Sequence, residues 1–253
     1  MVKFHYKEKR EQSMQPFQFK QFSVAHDRCA MKVGTDSILL GAWANIAQVR
    51  SVLDMGCGSG LLALMLAQRL AENNTNYRIA ALEIDPAAAQ QAQRNSRNSP
   101  WADKIDVVNQ DLADYVLQAR AHFDLIIANP PYFAQGVGCR NPERQTARYL
   151  GAAQGHLLWL SAAQDLLNSA GKIAFVLPYA AGENLLAQLD QTALYCTKKT
   201  AVITKHGKAA QRLLLEFGLI ESEVAVDEIV VYQADNRYHP DFIALTRAFY
   251  LKF

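Results

Sequence analysis

The sequence is short of several things, and each shortage excludes a class. It has four cysteines in 253 residues. They stand far apart at Cys29, Cys57, Cys139 and Cys196, with no C-x-x-C pair and no histidines at ligand spacing. A disulfide scaffold is excluded, no metal site is expected, and free thiols in a reducing compartment are the expectation. No apolar run approaches the roughly 18 residues that a membrane span needs. The first residues, MVKFHYKEKREQS, are charged where a secretory leader would be apolar, so a cytoplasmic protein with no membrane partner is expected. Charge of one sign is scarce too: the formal net charge is +2, too mild to announce a nucleic-acid binder. Repeats, low-complexity stretches and interdomain linkers are missing, so one domain is expected.

What is present is an alternation. From Val52 onward short apolar runs exchange with helical patterns: SVLDM then LLALMLAQRL, RIAALEI then PAAAQQAQRNSRN, KIDVVNQ then LADYVLQAR, FDLIIAN, and later GKIAFVLP. This is the pattern of βαβ units, hence an α/β protein with a mostly parallel sheet and helices on both faces. Asp85 and Pro86 start the second helix as cap and first residue. SILLGAWANI, entered through Gly34, Thr35 and Asp36, is expected to be a helix packed on the sheet. TKKTAVIT and RLLLEFGLI are expected to pair antiparallel at the sheet edge. A strand near 227–232 and a helix near 239–251 complete the chain. Residues 1–15 are expected to be a flexible arm. Residues 16–253 are expected to form one domain, with a packing segment at 16–50, a core at 51–220 and a C-terminal strand and helix at 221–253.

The densest local signal is VLDMGCGSG, where a strand ends in Asp54 and glycines follow at 56, 58 and 60 before a helix. Glycines let the backbone turn tightly against a ligand, and the helix start offers unpaired N–H groups. An acid directly before a G-x-G-x-G turn suits a ligand carrying an ammonium group better than a pyrophosphate. The second strand ends in Glu83, whose carboxylate can accept both hydroxyls of a ribose; the third ends near Asn109, Gln110 and Asp111, within reach of an adenine amino group. Plain helix capping would also place acids at Glu83 and Asp111.

After the fourth strand comes Asn129, Pro130, Pro131, Tyr132. An amine conjugated to a ring is a poor nucleophile because its lone pair is delocalised. The Asn129 side-chain oxygen and the Pro130 carbonyl can each accept one of its N–H groups, and the prolines fix these acceptors in place. Tyr132 offers a flat face on which a base can stack. A rigid turn after a strand is the bland alternative.

Together these features resemble the class I S-adenosylmethionine methyltransferases over residues 34–218. That resemblance implies a Rossmann-like seven-stranded, mostly parallel sheet with an antiparallel edge strand. It assigns the methionine part of S-adenosylmethionine to Asp54 and the glycines, the ribose to Glu83 and the adenine to Asp111, with Thr35 and Asp36 beside the methionine part. The segment from Phe17 to Ala44, with Asn129 to Tyr132 and the terminal ALTRAFYL, is similar to the bacterial tRNA-valine adenine-N6 methyltransferases, which modify the adenine next to the anticodon. The tetrapeptide is shared with DNA adenine methyltransferases and with enzymes that methylate a release-factor glutamine. DNA-modifying relatives usually carry a recognition domain of about a hundred residues or more, and here about twenty separate Tyr132 from the next helix, so tRNA is the expected substrate, with a release-factor glutamine or an adenine of another RNA or DNA as the alternatives.

Basic residues provide candidate RNA contacts. Arg140, Arg144 and Arg148 fall at intervals of four, one stripe if helical. Lys32 lies upstream, and Lys198 and Lys199 begin a later cluster; any one of them could equally be a solvated surface residue. The histidines have no evident catalytic partner, and no obligate protein partner is indicated.

Overall fold

The computed structural model describes residues 15–29, 31–72, 76–118, 122–131 and 152–253. The expected arm at 1–15, apart from its last residue, lies outside them. So do Tyr132, Cys139, Arg140, Arg144 and Arg148.

The chain opens with two short strands, β1 (Phe17–Gln18) and β2 (Ser23–Val24), paired antiparallel, followed by helix α1 (Thr35–Trp43). The alternation then runs β3 (Ser51–Met55), α2 (Leu61–Ala71), β4 (Arg78–Glu83), α3 (Pro86–Arg97), β5 (Ile105–Asn109), α4 (Leu112–Gln118) and β6 (Phe123–Ala128). Helix α5 (Ala152–Asp165), β7 (Leu167–Pro178) and α6 (Tyr179–Leu186) follow, then β8 (Tyr195–Lys205), β9 (Arg212–Gly218), β10 (Ala225–Tyr232) and α7 (Pro240–Thr246).

The main sheet has the order β10-β8-β9-β7-β6-β3-β4-β5. Its strands are parallel except β9, which pairs antiparallel with both β7 and β8. Two expectations are corrected here. The sheet has eight strands and not seven, because β10 adds parallel to β8. For the same reason the antiparallel pair β8–β9 is not the edge: β10 covers it. The short connection between β8 and β9 has Gly207 at φ +79°, and it reverses the chain without room for a crossover helix. The last helix also ends earlier than expected, at Thr246.

Helix α2 is apolar all round, and Leu61 to Gln68 and Leu70 are all buried, as fits a helix covered on every side. It packs between the sheet and α1. On that face the core runs from Leu39, Leu40 and Leu64 to Phe242 and Phe249; on the other, α5 and α6 cover Ile126, Phe175 and Phe217. The N-terminal hairpin is fastened to the end of the chain, with Lys20 N–H donating to Phe249 O over 2.8 Å and Phe17, Phe19 and Tyr250 in ring contact.

Helix α1 is held at both ends. Arg69 on α2 donates to the Gly41 and Ala44 carbonyls at 2.9 and 2.8 Å, filling acceptors left open at the helix end. Trp43 Nε1 donates to the buried Thr200 Oγ1 on β8, and Arg212 on β9 pairs with Asp36 in the first turn. Among the described residues no helix is long and apolar enough to cross a membrane.

Candidate active site

From β3 the chain proceeds outward through β4 to β5, while β6 returns to the other side of β3 and continues to β7. The strand order therefore reverses between β3 and β6. In open α/β sheets ligands bind outside the carboxyl ends of the strands at such a reversal. Asp54 stands opposite Ile127 in the β3–β6 register. Asn129 lies two residues beyond Ile127, just past the end of the neighbouring strand, roughly 5 Å across and 7 Å along. The two strongest sequence signals thus meet in one crevice.

On its cofactor side, Asp54 is fully buried. Its Oδ2 accepts from Ala63 N–H at 3.0 Å, in the first turn of α2. Its Oδ1 is buried and accepts from none of the described residues. Burial raises the carboxyl to about 7, helped by the nearby Glu83 and opposed by the Ala63 hydrogen bond. Gly56, Gly58 and Gly60 all have positive φ, a backbone that side chains disfavour. A Cβ on Gly58 would meet nothing within 4 Å, while one on Gly56 would strike the Trp159 ring at 2.7 Å. The loop is therefore backed by Trp159 on α5 and open at Gly58. An unsatisfied buried carboxylate oxygen beside an open glycine turn fits a ligand that carries an ammonium group, as S-adenosylmethionine does.

Glu83 closes β4. Its Oε2 accepts from Gly58 N–H at 2.8 Å and its Oε1 from Asp85 N–H at 2.9 Å, so each oxygen keeps one lone pair for a ribose hydroxyl. Asp111 is exposed, and its Oδ1 caps α4 by accepting from Ala113 N–H at 2.8 Å. Helix capping is thus real at Asp111 and leaves its second oxygen open. Thr35 is exposed at the start of α1, and Asp36 beside it accepts from Arg212 Nε.

Beside the glycine loop a strap, residues 25–29 and 31–33, is fastened to α3. Asn95 on α3 accepts from Ala25 N–H and donates to the Ala25 and Ser59 carbonyls, joining strap to glycine loop; Gln91 accepts from Arg28 N–H. His26 Nδ1 accepts from Val33 N–H at 2.8 Å, and burial keeps its pKa below the usual imidazole range. Cys29 and Cys57 are buried, and burial raises both thiols, Cys29 to about 11. They are inert thiols in the wall of the site.

At the reaction loop, Asn129 Nδ2 donates to Ser37 Oγ on α1 at 3.0 Å. Asn129 Oδ1 is buried and accepts from none of the described residues. Pro130 is buried and Pro131 exposed. The buried His156 on α5 hydrogen-bonds the Pro131 backbone. Proline has no N–H, so the imidazole donates to the carbonyl. Burial is the larger influence and lowers the His156 pKa.

The three candidate RNA lysines among the described residues lie apart from one another. Lys32 Nζ donates back to the His26 carbonyl at 2.9 Å. Lys198 and Lys199 point to opposite faces of β8, Lys198 over the Trp43 ring at 4.9 Å and Lys199 onto Glu183 on α6. A cavity of about 890 Å³ lined in part by Arg50, Arg69, Lys198 and Glu216 opens at the Trp43 end of α1. Asn129 touches the other end of that helix, six residues or about 9 Å away. Among the described residues no cluster of histidine, cysteine or acids could hold a metal ion.

Sequence reasoning missed Ser37, His156, Arg212, Gln91 and Asn95. Only the last two carried a local signal, a polar pair four residues apart on an alanine-rich helix face.

The methyltransferase small domain family matches residues 29–205. The chain is 53% identical over 237 residues, 94% of its length and 97% of the relative's, to the tRNA1(Val) (adenine(37)-N6)-methyltransferase of Pasteurella multocida (strain Pm70). It is 54% identical, over 94% of its length and 98% of the relative's, to the protein of the same name from Actinobacillus succinogenes. Among solved structures, a predicted O-methyltransferase from Agrobacterium tumefaciens superposes with a TM-score of 0.61 at 18% identity, covering 85% of this chain and 96% of that one. A type I restriction-modification methyltransferase subunit from Streptococcus thermophilus gives 0.55 at 16% identity, covering 78% and 47%. These last two share the class I fold alone. The chain belongs to the methyltransferase small domain family, in the group of the tRNA1(Val) (adenine(37)-N6)-methyltransferases.

Proposed function

We propose that this protein transfers a methyl group from S-adenosylmethionine to the exocyclic N6 of an adenine in tRNA, the adenine next to the anticodon of a valine tRNA. A tRNA substrate implies a cytoplasmic enzyme. One observation carries the chemistry: the buried Asn129 Oδ1 is an acceptor without a partner among the described residues, at the strand reversal beside the glycine loop. Leaving such an oxygen unpaired costs about 1–3 kcal/mol. A substrate N–H would relieve that cost.

Asp54 and the glycine turn would hold the methionine part of the cofactor, Glu83 the ribose and Asp111 the adenine, with Thr35 at the margin. When bound, S-adenosylmethionine supplies an electrophilic methyl group. This chain's residues supply position and polarity. Asn129 Oδ1 and the Pro130 carbonyl accept the two N–H groups of the substrate amine, drawing its lone pair out of conjugation with the ring. The prolines and the His156 hydrogen bond hold those acceptors still, so little reorganisation is needed as charge develops on nitrogen. Tyr132 stacks on the base. No general base is required, because the methylated amine is acidic and loses its proton to water. Arg140, Arg144 and Arg148 are the candidate phosphate contacts; Lys32, Lys198 and Lys199, tied to partners in the protein, are weaker ones.

The test is transfer of tritium from labelled S-adenosylmethionine to unmodified tRNA, to DNA and to a release factor in parallel, with nucleoside digestion of labelled tRNA. Label in N6-methyladenosine is expected. Label confined to the release factor would move the activity to glutamine.

A further inference from the structure

We propose that Ser37 is a positioning residue that holds the Asn129 amide in place, with its nitrogen engaged and its oxygen left for the substrate. The two ends of a carboxamide are nearly equal in shape and opposite in chemistry, one accepting and the other donating. An amine with two N–H groups needs the oxygen. Turned around, Asn129 would present donors to donors and the contact would become repulsive.

The backbone of the reaction loop does not settle this choice, because the amide can rotate about its last torsion without moving the chain. Ser37 Oγ, which can accept or donate, meets this amide at 3.0 Å and here accepts from Asn129 Nδ2, so it restrains that rotation with the nitrogen turned toward α1. With the nitrogen engaged, Oδ1 is left buried and open. Ser37 itself is in a fixed place, in the first turn of α1 next to Asp36. That turn is braced by the Asp36–Arg212 pair at 2.9 Å, and the far end of the helix is held by Arg69 and Trp43. The oxygen that takes the Asn129 proton is thus presented by a helix clamped at both ends. Ser37 is joined to the reaction loop through Asn129, 92 positions away.

This rests on the reading of Asn129 as the acceptor for the substrate amine, and the experiment separates the two. Steady-state kinetics with tRNA would be compared for the wild type, Ser37→Ala, Ser37→Thr and Asn129→Ala. Cofactor affinity would be measured by calorimetry. Nitrogen-15 spectra would follow the Asn129 side-chain NH2, identified by its disappearance in Asn129→Ala. Ser37→Ala is expected to lower kcat by about 10- to 100-fold, the scale of a misplaced reacting geometry, with KM for tRNA and cofactor affinity within about twofold. Its Asn129 NH2 protons should exchange faster with solvent and collapse toward equivalence. Ser37→Thr, which keeps the hydroxyl, should restore both rate and spectrum. Wild-type kcat or an unmoved NH2 signal in Ser37→Ala would overturn the role of Ser37, as would loss of cofactor affinity in step with rate. Full activity in Asn129→Ala would instead overturn the function on which it rests.

Discussion

Arg212 Nε donates to Asp36 Oδ2 over 2.9 Å, joining the start of β9 to the first turn of α1 across 176 positions. Both side chains are partly buried, so water screens the pair only in part. Asp36 also sits at the positive end of the α1 dipole, which favours its charge there. A double-mutant cycle on Arg212→Ala and Asp36→Ala, read by denaturant unfolding, should give a coupling of about 1 kcal/mol, the upper range for an ion pair in partial contact with solvent. Loss of the brace should also lower kcat more than cofactor affinity, because the same turn carries Ser37. No measurable coupling would mean that packing alone holds the turn.

Asp54 predicts a pH dependence with a definite sign. Burial places its folded pKa at about 7, above the roughly 3.9 of an unfolded aspartate. Between those values the native protein keeps a proton that the unfolded chain has released. Its contribution to stability is therefore complete below about pH 4 and lost as pH rises through about 7. The amide of the Asp54→Asn variant carries no such proton. In cofactor-free protein, the difference in melting temperature between Asp54→Asn and wild type should shift in favour of the variant from pH 5 to pH 8. Cofactor affinity should run the other way, because the ligand's ammonium group favours the ionised carboxylate. It should rise with pH through about 7 in the wild type and be weak and flat in Asp54→Asn. A parallel pair of melting curves would show that Asp54 stays ionised throughout.

Asn129 offers a graded test of acceptor chemistry. Asn129→Ala removes both the Oδ1 acceptor and the anchor on Ser37, and should abolish transfer. Loss of a comparable positioned hydrogen-bonding group costs about 100- to 1000-fold in rate. Cofactor affinity, measured by calorimetry, should be nearly intact, since the side chain serves the substrate amine. Asn129→Asp keeps an acceptor at the same place and can accept from the Ser37 hydroxyl, so it should retain part of the rate that alanine loses. Equal loss in both variants would point to steric shape and not to hydrogen bonding.

Local sequence carried the frame of this protein because alternation, glycine spacing and strand-end acids are short-range patterns. Asp54, Glu83 and Asn129 each lie at or within one residue of a strand's carboxyl end, and the topology of a doubly wound sheet then gathers strand ends at one edge. Position in the sheet was less legible. Nothing in RLLLEFG states whether the antiparallel pair it joins lies at the edge or is covered by a later strand. β10, which begins at Ala225, settles that only by pairing with β8. Contacts such as Asn129–Ser37 and Arg212–Asp36 had no signature at all. Their partners are far apart in the chain, and serine, arginine and aspartate in those places read as ordinary caps and surface charges. Lys198 and Lys199 are adjacent in sequence, but successive residues of a strand face opposite ways, and one lies over Trp43 while the other meets Glu183.

The RNA surface yields to a salt titration. Arg140, Arg144 and Arg148 are proposed to meet phosphates, and each such contact releases counterions when it forms, so affinity falls with salt in proportion to their number. Replacing one phosphate-contacting residue should reduce the logarithmic salt slope by about 1 and weaken binding alike for all sequences. The triple variant to alanine should therefore flatten the slope by roughly 2 to 3, raise KM for tRNA and leave kcat at saturating tRNA near the wild-type value. Lys199→Ala should behave differently. Its ammonium is already paired with Glu183 on α6, and that pair holds its pKa above the usual lysine range. The expected slope for Lys199→Ala is that of the wild type. If Lys199→Ala flattens the slope and the triple variant does not, the tRNA lies across β8 instead of the segment after the reaction loop.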